Sequence, residues 1–144
     1  MTYAIDTRNC YLQHFIAAPA VEIYYMLLSQ NGLSQITGLD IEIDSHHHGK
    51  WICEYEGIYG YNLHATPNST ITLAVHKKSF PAYHFSIVTI LLEEKQNGCF
   101  VFINQYGVPT DFQADFQHFW EQKILSPLSI YFDGLNLSAA QLEE

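Results

Sequence analysis

The chain has 144 residues, a formal net charge of −9 and six lysines or arginines that do not cluster. That length suits one ordinary domain, and a 48% hydrophobic content is enough to bury a real core. Without a basic footprint to displace counterions, nucleic-acid binding is excluded, and so is attraction to an anionic membrane.

Aromatic content is high, with ten Tyr and nine Phe. Such an excess fits either a roomy interior or apolar surface kept for a partner. Cys10, Cys53 and Cys99 form no C-x-x-C pair, which fits a reducing, cytoplasmic compartment better than a disulfide scaffold. The start, "MTYAIDTRNC", has no apolar run, so no signal peptide is expected, and no stretch approaches a membrane span.

In chain order, "CYLQHFI" (10–16) reads as a first strand, rich in aromatic and branched residues. Pro19 suits a first helical turn, and Val21, Tyr24, Tyr25 and Leu28 recur at helical spacing. Gly32 and Gly38 bracket a second short helix, "LSQIT".

From Leu39 the texture changes to short alternating segments: "LDIEID", "KWICEYE", "IYGYNLHA", "TITLAVHK", "YHFSIVTILLEE" and "CFVFINQY". Turn residues separate them, most tellingly Asn97-Gly98, a strong hairpin signal. The pattern predicts an antiparallel meander. Beyond it, Phe112, Phe116, Trp120 (or Phe119), Ile124, Leu128 and Tyr131 repeat at helical spacing, with Thr110 or Asp111 as the cap. Pro127 predicts a kink or break in that helix. The end, "LSAAQLEE", reads as a frayed tail. An antiparallel sheet with one apolar face needs a cover, and the long helix is the obvious one.

The stretch "DSHHHGKW" (44–51) raises the question of a metal. His46 and His48 would share a strand face, and Asp44 would be a third ligand. The segment falls at a loop between two strands, so a solvated hairpin tip is the favoured reading and no metal is assigned. Catalytic motifs of the G-x-S-x-G, H-E-x-x-H or P-loop type do not occur, and no cofactor is expected. Glu93-Glu94 ends a strand and Asp111/Asp115 opens the long helix, where acidic residues complement the dipole. His84 and Ser86 share a face by parity. They are polar groups at a cavity rim if that face is concave, and a satisfied core histidine is the plainer reading.

Several motifs, taken in order, resemble a known family. These are Gly60, Asn62 and Leu63 before Pro67, then Phe80-Pro81, then Ser86, Val88 and Thr89, then Gly107-Val108-Pro109. A helix with Trp120, Leu125, Pro127 and Leu128 completes them. Together they are similar to the Aha1-domain family (activator of Hsp90 ATPase homologue 1-like) of the START-like, SRPBCC or Bet v 1-like helix-grip superfamily. The resemblance spans roughly residues 9–132, with 133–144 a tail to a single domain over 1–144. It implies an α+β fold in which a curved antiparallel sheet of about seven strands wraps a long C-terminal helix, with two short helices after the first strand.

The resemblance also implies a cavity between sheet and helix. Its register turns Leu73, Val75, Val88, Ile103 and Gln105 inward, to meet Phe116, Trp120 and Ile124 from the helix. His84 and Ser86 would stand at its rim, with Trp51 and Tyr55 closing one end. A mostly apolar wall with a few polar groups suits a small hydrophobic or amphipathic ligand. Non-catalytic binding of such a ligand is the leading expectation. Modulation of an Hsp90-type chaperone comes second, and a cyclase or hydrolase third. On the opposite, convex face, Phe85, Ile87, Phe100, Phe102 and Tyr106 would point outward, where a solvated sheet is normally polar. That face is expected to bind a second copy or a partner protein.

Overall fold

A computed structural model describes residues 5–142. The strands are β1 (Thr7–Ile16), β2 (Ile41–Ile43), β3 (Lys50–Cys53), β4 (Ile58–Thr66), β5 (Thr70–Lys77), β6 (Ser86–Lys95) and β7 (Gly98–Pro109). They form one sheet in the order β1-β7-β6-β5-β4-β3-β2, antiparallel throughout. Helices α1 (Ala20–Leu27) and α2 (Gln30–Thr37) follow β1. A 3-10 turn (Thr110–Phe112) then leads into α3 (Gln113–His118), a π-helical stretch (Phe119–Leu125) and α4 (Ser126–Leu142). This is the expected α+β helix grip, a curved sheet closed over a long C-terminal helix.

Alternation does the sorting. Along β5 and β6, Ile71, Leu73, Val75, Ser86, Val88, Ile90 and Leu92 are buried, and the residues between them are half-buried or exposed. Because the strand period is two, each strand offers one apolar face to the helix.

The short helices begin differently from expectation. Pro19 precedes α1 without a side-chain cap, and the Glu94 carboxylate on β6 accepts the Ala20 N–H at 3.1 Å instead. An anion at a helix start is favoured by the dipole, so this acid is structural. Helix α2 starts at Gln30, not after Gly32: Ser29 Oγ accepts the Gly32 N–H at 3.0 Å, which places that glycine inside the helix. Gly38 ends it at φ 73°, a conformation that glycine adopts without steric cost. Neither Thr110 nor Asp111 caps α3, since both lie in the 3-10 turn and Thr110 donates its N–H to the Asp6 carbonyl. Strand β6 opens at Ser86, later than the apolar pattern suggests, because Tyr83 adopts φ 64° and closes the preceding loop.

Pro127 bends the pattern in an unexpected way. It has no N–H and its ring crowds the carbonyl four residues back. The helix stays continuous but widens just before it, and the Ser126 N–H reaches the Glu121 carbonyl, five residues earlier. In that register Phe119, Trp120, Ile124 and Leu125 are all buried. The pairs are adjacent and five apart, which matches the π spacing and not the α spacing. Beyond Phe132 the helix runs on to Leu142 through the segment expected to fray, and its described side chains there are exposed.

The helix also guards the sheet's free edge. Gln117 donates to the Tyr11 carbonyl at 3.3 Å, and Asn136 donates to the Ala17 carbonyl at 2.8 Å. Capping unpaired groups on a long edge strand discourages edge-to-edge pairing.

Candidate functional site

The centre of the space under the grip is filled. Val75, Ser86, Val88, Ile103, Gln105, Trp120 and Ile124 expose 0% of their surface to a water-sized sphere, Leu73 and Phe116 1%, and Trp51 3%. A void able to hold a ligand would leave its wall atoms accessible to such a sphere. The residues expected to line an open cavity therefore pack against one another, at the density usual for protein interiors. Two indoles meet there: Trp51 lies tilted against Trp120 at 5.8 Å and meets Phe119 edge-on at 6.4 Å.

One polar chain runs through this core. The Trp120 indole N–H donates to Gln105 Oε1 at 2.8 Å. Gln105 Nε2 donates to Ser86 Oγ at 2.8 Å, and Ser86 donates to the Val75 carbonyl at 3.2 Å. An indole can only donate, so it decides which end of the Gln105 amide faces it. The indole N–H, the Gln105 amide and the Ser86 hydroxyl are thus partnered with one another and with backbone.

His84 lies outside the grip, half-buried at its rim. Its Nε2 stands 2.6 Å from the Gly107 carbonyl and must carry the proton there, while its own carbonyl accepts from His76 Nδ1 at 2.8 Å. His84 is thus hydrogen-bonded as the plainer reading has it, but half-buried in the loop before β6 and not in the core. Tyr55 does not close the cavity as expected, because it sits on the β3–β4 turn with 86% of its surface exposed. At that end Lys123 and Glu56 instead form an ion pair in the wall of an open cleft between sheet and helix. Hydrogen bonding from Glu56 holds the Lys123 ammonium above the usual lysine range. Beside it, Phe116 reaches a cleft of about 320 Å³, where the Lys77 ammonium lies 5.6 Å and 5.7 Å from the Phe112 and Phe116 ring centroids.

The histidine stretch folds as a loop pinned to β4. Asp44 Oδ1 accepts from the His46 backbone at 3.0 Å and from its Nδ1 at 2.7 Å. These bonds, backbone first, hold the Asp44 carboxyl below its ordinary range. His48 takes φ 63°, which turns the chain back. Asn62 receives the loop: its N–H goes to the Gly49 carbonyl at 2.7 Å, its carbonyl takes the His48 N–H at 2.7 Å, and its side-chain amide donates to Ser45. Among the described residues, no three of His, Cys, Asp or Glu converge as metal ligands.

Thiol chemistry is equally quiet. Burial pushes the Cys10 thiol up to about 11 and raises Cys53 and Cys99 as well. A thiol at that value is about one thousandth thiolate at pH 8, and the thiolate is the nucleophile. All three cysteines are expected to resist a disulfide reagent such as DTNB in the native protein and to react fully once it is unfolded. A rapid native reaction would contradict this burial.

What remains open to solvent is the convex face. Pairing register runs Tyr61, Ala74, Ile87 and Tyr106 in one row across four strands. A second row carries Thr70, Leu91, Phe102 and Gln13, and Phe15 pairs with Phe100 in a third. Between the first two lies a polar row of Thr72, Thr89, Asn104 and Tyr11. Phe85, Ile87, Leu91, Tyr61, Tyr106, Tyr11 and Phe15 are all exposed; Phe100 and Phe102 are half-buried against their neighbours. No charged residue occurs in these rows until the Glu93–Lys95 pair at one end. Aromatic anchors, interleaved hydroxyls and missing charge are the composition of an interface core.

Comparison with solved structures agrees with this architecture. An HSP90 activator from Plasmodium falciparum superposes with a TM-score of 0.77 at 15% identity, covering 85% of this chain and 94% of that one. The Aha1 dimer from Colwellia psychrerythraea gives 0.73 at 21% identity, over 87% and 96% of the two chains. CalU16 from Micromonospora echinospora also gives 0.73, at 15% identity, over 90% and 84%. No curated protein sequence matches the chain. The model for "activator of Hsp90 ATPase homolog 1-like protein" matches residues 17–133, and the chain belongs to that family.

Proposed function

We propose that this domain is a non-catalytic protein-binding module that docks on an Hsp90-type chaperone through its convex sheet face. The observation that carries the reading is the uncharged aromatic surface over β4, β5, β6 and β7, exposed where a solvated sheet should be polar. The filled grip argues against the ligand carrier that was the first expectation, because a ligand there would have to displace Trp51 or Trp120. The satisfied Trp120–Gln105–Ser86 chain argues against a cyclase or hydrolase. Family membership supports the chaperone as partner. Buried, unpaired cysteines support a reducing cytoplasm as the compartment, and among the described residues no helix is long and apolar enough to cross a membrane.

The test is the ATPase rate of the host's Hsp90-type chaperone with and without this protein. Stimulation or inhibition is expected. Ile87→Glu, at the centre of the first aromatic row, is expected to weaken the effect by about thirtyfold or more, since it puts a charge into a desolvated contact. Its melting temperature should stay near wild type, because Ile87 is exposed. No effect of wild type on the chaperone, or an undiminished effect of Ile87→Glu, would refute the reading. A second copy on the same face is the alternative occupant, favoured by the dimer of the Colwellia relative. Light scattering would then show a dimer that Ile87→Glu dissociates.

A further inference from the structure

The second exposed apolar concentration lies at the other side of the molecule, between α1 and α4. A groove of about 420 Å³ opens there. Its floor is Phe132, 4% exposed, with Met26 beside it. Val21, Tyr25, Tyr131 and Leu135 form its walls, and all four are exposed. Four large apolar side chains left in water around one concavity of ligand size are unusual for a surface with no occupant.

One ionisable carboxylate lines the groove, that of Glu22. It forms no salt bridge among the described residues. A carboxylate beside two tyrosine rings is the composition that selects organic cations: the acid supplies charge, and each ring face adds a favourable quadrupole. The protein's net charge of −9 draws cations to the surface generally.

We infer that the α1–α4 groove binds a small organic cation with an apolar body, an aryl- or alkylammonium. The apolar body lies over Met26 and Phe132, and the ammonium faces Glu22 between Tyr25 and Tyr131. Binding comes mainly from buried apolar area, and selectivity from the head group. The site is independent of the convex face, so either can fail without the other.

Three probes with one apolar body separate the contributions: 4-phenylbutylammonium, the neutral 4-phenylbutanol and the anionic 4-phenylbutyrate. Each is titrated into the whole protein at about 0.15 M salt, where diffuse attraction is screened, and followed by amide and methyl NMR shifts. The ammonium is expected to bind about tenfold more tightly than the alcohol and to shift signals of Val21, Met26 and Leu135. Glu22→Gln, an exposed substitution, should bring ammonium and alcohol to equal affinity without lowering the alcohol's. Leu135→Asp should weaken the alcohol, which separates the apolar wall from the charge. Equal binding of all three probes to wild type, tighter binding of the carboxylate, shifts centred elsewhere, or no saturable binding would each overturn the assignment.

Discussion

Trp120→Ala is expected to be among the most damaging single changes, with a loss of about 4–8 kcal/mol. Truncating a buried tryptophan costs about 3–5 kcal/mol through lost transfer energy and the cavity left behind. The indole is fully buried, packs against Trp51 and donates to Gln105. Removing that donor leaves Gln105 Oε1 unpaired in a dry core, which adds about 1–3 kcal/mol. A domain of this size has about 5–15 kcal/mol in all, so the variant should be marginally folded. Urea titration followed by circular dichroism reads the loss directly. Trp120→Phe divides it: the ring is largely kept and the hydrogen bond is not, so about 1–3 kcal/mol should go. A loss under about 1.5 kcal/mol for Trp120→Ala would mean that the grip is looser than described here, and would revive a ligand beneath the helix.

Gly49→Ala is expected to cost about 2–3 kcal/mol, or roughly 8 °C in melting temperature, although the residue lies in a short polar loop. A Cβ there would stand 2.1 Å from the Asp44 carbonyl oxygen and 2.8 Å from Asp44 Cβ. Backbone cannot yield as a flexible side-chain tip can. The Asp44 N–H is also tied to the Lys50 carbonyl at 2.8 Å, and the Gly49 carbonyl holds the Asn62 N–H. Relief of the clash therefore opens the loop and exposes the bulged part of β4. His47→Ala, a few residues away on exposed surface, should change stability by less than about 0.5 kcal/mol. Thermal melts of the two variants compare them. A near-neutral Gly49→Ala would show that the loop readjusts freely.

Much of the fold was legible in the order of residues. Alternation in "TITLAVHK" and "YHFSIVTILLEE" put Leu73 on one face with Val75, and Ser86 with Val88, and the family resemblance turned both faces inward; the structure buries all four, Ser86 deeper than the rim expected of it. With the inward faces set by the resemblance, parity put Phe85, Ile87 and Tyr106 on the opposite face, where they are exposed. What misled was the helix. An α spacing through Phe116, Trp120 (or Phe119) and Ile124 admitted only one of Phe119 and Trp120 to the buried face and left Leu125 off it, yet all three are buried. Two adjacent apolar pairs five residues apart, followed by Pro127, were the available sign of a π stretch.

Tyr55 failed for a different reason. Strand parity says nothing about a residue once the strand ends at Cys53 and the chain turns outward. The α1–α4 groove left no sequence signal either, because it is shared between residues more than a hundred positions apart.

Sequence by itself determined the strand pattern, the paired faces, the family and the absence of a recognisable catalytic motif, because periodicity and turn chemistry are local properties of the chain. Only the tertiary structure decided that the centre of the grip is packed. Whether a helix-grip core holds a ligand depends on how two indoles from distant elements, Trp51 and Trp120, pack together with Phe119. Packing of that kind is a property of volumes meeting in space, which no spacing along the chain records.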